Sequence, residues 1–407
     1  MSNSSYAPNN RLELLDAIRG FALFGILIAN IRTFSGWDFM SDDLRAKVSD
    51  SDYVNYDFLN TLLIDGKFYT LFSLLFGIGF SVQLSRLSNG DAKALFIYLK
   101  RLIILLAIGL VHLVLFWFGD ILTFYALLGF ILLLVNTFSD RSILIFAGIT
   151  FLIPIIGYLI AWAFDLSMDV GFYGLGQLGL AASFAEQSND ILALLKLETW
   201  QEFFAFTTSG SLLRVGYVLE SWRLPKLLFV MLMGLWCGRK IIQGKMLNQP
   251  KLLLRIVIFG FTFGAIASYF YAEIGAVFAF AGAPNAEGLL RMLLYMCSVF
   301  PMGFAYGALF LLAWRHWEKF LMVFVAPGRM ALTNYLMQTL ICITIFYGIG
   351  YNYAGTVGPA TMLLIACCIF VTQILTSKLW LSHFKYGPLE WIWRCLTYGR
   401  LLAIKKA

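Results

Sequence analysis

Long apolar runs, each bounded by charges, Gly or Pro, recur along the whole chain. A helix that crosses a bilayer needs roughly 20 such residues, because each advances about 1.5 Å through hydrocarbon about 30 Å thick. Runs at about 17–36, 68–86, 102–118, 121–137, 142–163, 225–243, 252–272, 291–313, 330–350 and 359–377 meet or approach that length. The pattern predicts an all-α, polytopic integral membrane helical bundle of about ten transmembrane helices, one domain over 1–407. The third and fourth runs are joined only by Gly119 and Asp120, so both helices must end at one membrane face.

Two stretches between the runs carry more than a simple link. Residues 37–67 are acidic (Asp38, Asp42, Asp43, Asp50, Asp52, Asp57, Asp65) and end in the amphipathic piece FLNTLLIDGKF. Residues 164–224 are too long for a plain loop. Their apolar residues fall at helical spacing, as in ILALLKLETWQEFFAF, which predicts outer-face amphipathic helices serving as a lid or a substrate path.

Composition agrees with the pattern. Only 13% of residues are charged and 60% are hydrophobic, whereas soluble chains carry about 25% charge. The missing polar surface must face lipid. Six cysteines (Cys237, Cys297, Cys342, Cys367, Cys368, Cys395) lie in or beside apolar runs without disulfide or metal spacing, and read as small hydrophobes. Acids interrupt the basic residues of the N-terminus and no cleavage site follows, so the first span is expected to be retained. The net charge of +7 records loops at one membrane face, not a nucleic-acid partner. With the N-terminus inside, 21 of the 30 Lys and Arg fall inside and 9 outside, which predicts both termini in the cytoplasm.

Against this apolar background a few polar groups stand out. Asp16 and Arg19 are one turn apart at the start of the first span, and Asn30 and Arg32 lie near its end. Asp16 and Arg19 form either a snorkelling surface pair or an anion grip in which the acid orients the base. His112 lies deep in the third span, about 12 Å along the axis from Asp120, and the helical offset of about 80° argues against direct contact within the helix. A buried imidazole serves either as a bridge between helices or as a base, acyl carrier or proton relay. Asp120 at the tight turn also suits a helix cap. The stretch APGRMALTNYLMQT places Arg329 in the first turn of the ninth span. There, free N–H groups and the helix dipole favour an anion. Asn334 and Gln338 follow on one face, as ligands or as polar links between helices. The C-terminal QILTSKLWLSHFKYGPLEWIWRCLTYGR is rich in Trp, Lys and Arg, as an interfacial cap would be, with Glu390 and Arg394 spaced as an i,i+4 pair. P-loop, HExxH, GxSxG and CxxC signatures are absent.

Five motifs in order, RLELLDAIRGFALFGILIANI, DGKFYTLFSLLFGIGF, GLVHLVLFWFGDILTFYALLG, PGRMALTNYLMQT and YGPLEWIWR, resemble the YeiB family of bacterial inner-membrane proteins, over about residues 11–399. The opening R…LD…RG…N is similar, more remotely, to the transmembrane acyltransferases, including the lysosomal heparan-glucosaminide N-acetyltransferase and the bacterial type-three acyltransferases. Those enzymes take an acyl group from a cytoplasmic donor, often acyl-CoA, and deliver it across the membrane. By position, Asp16 and Arg19 match the acid and arginine of that group. Asn30 stands where the type-three enzymes have histidine. The lysosomal enzyme also has asparagine there, with its histidine in the following outer loop, but residues 37–67 here contain none. The resemblance therefore implies that His112 substitutes from another helix or that acyl transfer has been lost.

On the first alternative, Asp16, Arg19, Arg101, Arg329, Asn334, Gln338 and Arg394 bind an acyl-CoA donor. His112 is then the base or carrier, with Asp120 and Asn30 near a small-molecule or cell-envelope acceptor. A small-molecule or proton-coupled transporter, and a scaffold whose polar groups only join helices, are the competing readings. Lipid is the expected surround, a second copy of the chain a compatible partner, and no metal is implied.

Overall fold

A computed structural model of the chain describes residues 8–49, 53–87, 92–166, 171–244, 246–274 and 284–406. Asp50, Asp52 and Lys245 lie outside the described residues, as do the side chains of Arg86 and Lys93. Helices make up most of the described residues. The first helices are α1 (Pro8–Phe34), α2 (Asp42–Val48), α3 (Tyr53–Leu63), α4 (Lys67–Leu87), α5 (Ala92–Leu115) and α6 (Leu122–Val135). Next come α7 (Asp140–Ala163), α8 (Phe172–Phe184), α9 (Ile191–Leu195), α10 (Trp200–Glu220), α11 (Arg223–Ile242) and α12 (Pro250–Glu273). The last are α13 (Ala286–Leu321), α14 (Val325–Arg329), α15 (Ala331–Phe346), α16 (Pro359–His383) and α17 (Pro388–Tyr398). Among the described residues the only extended pairing is an isolated bridge between Phe384 and Lys405.

Seven helical segments are long and apolar enough to cross a membrane: Glu13–Phe34, Tyr53–Ser85, Leu95–Leu115, Asp140–Ala163, Pro250–Glu273, Ala286–Arg329 and Pro359–His383. The chain is thus an integral membrane protein of all-α class. The other three expected runs are also helical. However, α6 and α15 are short, at 14 and 16 residues, and α11 carries Arg223, Lys226, Arg239 and Lys240. Buried share separates the centre from the periphery. The core stretch of α1 is 61% buried, against 28% in α7 and α12. α12 accordingly presents Ile258, Phe259 and Ile266 outward, as a lipid-facing helix should.

Small residues set how the spans align. A Cβ on Gly77 or Gly234 would collide with the backbone of the facing helix, at Met231 and Leu74, so α4 and α11 touch along their main chains. Gly238 continues the seam against Ile78 and Ser81, which makes the two helices parallel. Gly303 and Gly307 of α13 meet Thr70 and Leu71, so α13 runs the same way. α5 and α6 are antiparallel, with Gly109 against Thr123 and Gly129 against Leu102. α4 provides a depth scale. Tyr69 and Gly79 lie about 15 Å apart along it, and they mark the two ends used below.

Two local expectations change. α5 stops at Leu115, so the turn to α6 spans residues 116–121 instead of two residues. The helix expected to begin near Pro327 is split. α14 ends at Arg329, Met330 (φ −109°, ψ 33°) breaks the chain, and α15 starts at Ala331. Arg329 therefore closes a short helix instead of opening a long one. The cause is packing: a Cβ on Gly328 would strike the Asp16 carbonyl oxygen, so the α14 backbone is pressed against α1.

Candidate functional site

The longer turn at residues 116–121 brings the histidine and the acid together. On an uninterrupted helix they would face apart, but the chain leaves α5 after Leu115 and doubles back. Asp120 Oδ1 then lies 2.8 Å from His112 Nδ1, a contact made through the turn and not within the helix. Asp120 also caps α6, since its Oδ2 accepts the Thr123 N–H at 2.8 Å. The other imidazole nitrogen, Nε2, is 3.0 Å from Thr339 Oγ1 on α15. All three side chains are buried, with exposures of 2% for His112, 0% for Asp120 and 2% for Thr339. A carboxylate only accepts, so Nδ1 carries the proton. In the neutral ring Nε2 is then the acceptor and the Thr339 hydroxyl donates to it. An acid, an imidazole and a hydroxyl are therefore linked in sequence, with the basic nitrogen directed at an alcohol.

Aromatic rings fix this unit. The Tyr335 ring lies 5.3 Å from that of His112, and Trp117 lies 6.4 Å away. Trp117 in turn stacks on Phe34 of α1 at 4.1 Å. Asn30 sits one turn before Phe34 on the same face of α1, and it makes no side-chain hydrogen bond to a described residue. Arg32, the other polar group there, is locked outward by Asp38 (2.9 Å) and Asp57 (2.6 Å).

The remaining candidates gather near the Gly79 end. Arg19 Nη1 pairs with Asp16 Oδ1 at 2.7 Å, and its guanidinium reaches α4 at Gly79. Arg329 lies within electrostatic reach of Asp16, and Arg19 and Arg394 within reach of Arg101. Arg101 stacks on Trp393 at 3.8 Å while its carbonyl accepts that ring's N–H at 2.9 Å, which ties α17 to α5. Arg394 lies over Tyr386 at 4.7 Å, and it forms no ion pair with Glu390.

Glu390 has a different role from the one its spacing suggested. Its Oε1 accepts the N–H groups of Leu332 (2.8 Å) and Thr333 (3.0 Å), and Oε2 takes the Thr333 hydroxyl (2.6 Å). The N-terminus of α15 is thus capped by a carboxylate from α17, and its free N–H groups are not open to an outside anion. Gly387 permits this, because a Cβ there would strike Glu390 Oε2. The expected amide ligands are engaged as well. Asn334 Nδ2 donates to Ser377 Oγ at 2.9 Å and to the Pro327 carbonyl at 3.2 Å. Gln338 Nε2 donates to Gln373 Oε1 at 2.9 Å, and Gln373 Nε2 donates to the Asn334 carbonyl at 2.8 Å. The bonds with Ser377 and Gln373 link α15 to α16, and the one to Pro327 links it to α14.

Thr339 escaped the sequence reading, although it directly follows Gln338. A threonine in an apolar helix is common, and no local pattern signals a partner 227 residues away. Also missed were Arg214, Arg223 and Lys226, whose place in the long segment and the following span was the only available cue. Among the described residues, no three His, Cys, Asp or Glu side chains come together as a metal site.

A membrane-embedded helical bundle with a buried acid–imidazole–hydroxyl unit toward one end and an arginine cluster toward the other defines the class. Residues 237–400 match the family described as Protein of unknown function (DUF418). The chain is 32% identical to uncharacterized protein YxaH of Bacillus subtilis, over 96% of its own length and 95% of the relative's. It is 28% identical to uncharacterized protein YeiB of Escherichia coli, over 94% and 95%. An uncharacterized 39.9 kDa protein in the amylase 3' region of Bacillus acidopullulyticus is 29% identical, over 98% and 97%. The chain belongs to the YeiB family.

Proposed function

We propose that this protein is a transmembrane acyltransferase of the bacterial inner membrane. Ten helices cross, both termini are cytoplasmic, and the Gly79 end faces the cytoplasm. The observation that carries the reading is the Asp120–His112–Thr339 chain, in which a fixed tautomer directs a basic nitrogen at a hydroxyl. Thr339 lies about 12 Å along α15 from Ala331, so a donor held at the arginine end has only part of the bilayer to reach across.

Arg19, Arg101, Arg329 and Arg394 hold the phosphates of an acyl-CoA-type donor, with Asp16 keeping Arg19 in place. An acceptor hydroxyl, entering from the opposite face near Asn30, takes the position that Thr339 Oγ1 occupies against Nε2. His112 accepts its proton as the oxygen bonds to the thioester carbonyl carbon. The C–S bond breaks, and the imidazolium returns the proton to the departing thiolate. Asp120 stabilises the transient imidazolium and prevents the ring from rotating. Net, the acyl group moves from sulfur to oxygen, and the charged carrier never crosses.

Purified full-length protein with labelled acetyl-CoA tests this. Free thiol should be released in the presence of an envelope extract, and His112→Gln should lower the rate by about 10²–10⁴-fold with the protein still folded. Thiol release unchanged in His112→Gln would refute the reading. A transporter is the second reading, favoured by the buried cations described next. Uptake of an anion into proteoliposomes without any acyl donor would support it instead.

A further inference from the structure

Apart from the arginine cluster near Gly79, a second group of cations is enclosed toward the Tyr69 end. The link between α10 and α11 is only Ser221 and Trp222, the latter left-handed at φ 53°, with its indole packed where a Cβ on Gly157 would lie. This tight hairpin places Arg214 and Arg223 on the same ring: their guanidinium carbons lie 5.5 and 5.8 Å from the centre of Tyr217. Arg223 also lies 4.5 Å over Tyr69, and its Nη1 is 3.4 Å from the Tyr217 hydroxyl. Lys226, one turn along α11, sits over Tyr295 at 5.2 Å and is 6% exposed.

Like charges repel, and each of these cations lies within electrostatic reach of the next. Among the described residues no carboxylate comes within 4 Å of Arg214 or Arg223. The Nε atoms of both are buried without a hydrogen-bond partner. Tyrosine faces offset part of the charge, but enclosing like cations beside one another is a costly arrangement in a membrane. Arg214 and Arg223 are nevertheless intermediate in exposure, not sealed off as Lys226 is. The group also adjoins the imidazole unit. Gly210, one turn before Arg214, packs α10 on Phe118 in the α5–α6 turn. Tyr335 feels both Arg214 and Asp120 while its ring faces His112.

We infer that Arg214 and Arg223, backed by Lys226 and walled by Tyr69, Tyr217 and Tyr295, form a binding site for a phosphate group beside His112. Two guanidinium forks and an ammonium suit a phosphate, with its multiple charge and three or more acceptor oxygens, better than a single carboxylate. The phosphate comes from either a lipid headgroup or a soluble phosphorylated compound. The site stands whether or not acyl transfer occurs.

The test uses the full chain purified in neutral detergent and in nanodiscs. Inorganic phosphate is titrated by calorimetry, and retention of phosphatidylglycerol over phosphatidylcholine is read by native mass spectrometry. Arg214→Gln and Arg223→Gln should each weaken binding by about 10- to 100-fold, and His112→Gln should leave it within about twofold. Arg214→Lys, which keeps the charge, should lose less and controls for misfolding. Binding of phosphate alone assigns a soluble ligand, and selective retention of phosphatidylglycerol assigns a lipid. If the wild type binds neither, or if Arg214→Gln and Arg223→Gln fold and bind both as the wild type does, the inference is wrong.

Discussion

Asp120→Asn should reverse the tautomer of His112. The carboxylate accepts two N–H groups at 2.8 Å, one from the imidazole and one from the Thr123 backbone. Asparagine keeps one accepting oxygen and replaces the other with a donor. The Thr123 N–H cannot become an acceptor, and leaving it buried without a partner would cost about 1–3 kcal/mol. The imidazole can yield, by moving its proton from Nδ1 to Nε2. The amide oxygen therefore stays with Thr123, the amide NH₂ faces Nδ1, and Nε2–H turns toward Thr339.

In the wild type, the charge-assisted bond stabilises the Nδ1–H form by about 1.5–3 kcal/mol, an excess of roughly 10- to 100-fold. The chain contains only three histidines, so ¹⁵N-histidine labelling with two-bond nitrogen–proton correlation is readable, and His112→Gln identifies the signal. The wild type should show Nδ1 protonated and Asp120→Asn should show Nε2 protonated. Retention of the Nδ1–H form in the variant, or an Nε2–H wild type, would refute the derivation.

Other tests address the scaffold. Glu390→Ala removes a carboxylate cap that takes three hydrogen bonds at the start of α15, and should cost about 2–4 kcal/mol in thermal or denaturant unfolding. Burial pushes the Glu390 carboxyl above its usual 4.5, while hydrogen bonds from Thr333 and Leu332 pull the other way. A raised folded value favours the protonated state, so the Glu390 contribution is fullest below pH 4.5 and declines as pH rises through the raised value; Glu390→Gln should flatten that slope. Gly234→Leu should cost about 1–3 kcal/mol by driving α11 off α4, whereas Gly148→Leu, which meets nothing within 4 Å, should be neutral. Arg32→Gln should raise hydrogen exchange across residues 37–49 and 53–57, since it frees Asp38 and Asp57 from the cation that fastens them to α1, at about 1–2 kcal/mol.

What could be read before the fold was known followed a local rule. Hydropathy sums over neighbouring residues, and each of the ten expected runs is helical in the structure, seven of them long and apolar enough to span. The polar residues worth attention were also visible, because charge in an apolar run is costly wherever it points. Their partners were not visible. Glu390 matched Arg394 by spacing yet caps α15, and His112 was set apart from Asp120 by a helix that in fact ends at Leu115.

The amino-acid sequence by itself determined that the chain enters the membrane as helices, and it marked Asp16, Arg19, His112, Asp120 and Arg329 as unusual. Only the tertiary structure decided that His112 lies between Asp120 and Thr339, that Arg101 stacks on Trp393, and that Arg214 and Arg223 converge on one tyrosine. The physical reason is range. Transfer from water to lipid depends on a residue and its near neighbours. Which side chains meet depends on where helices stop, how they rotate, and how closely glycines let them approach.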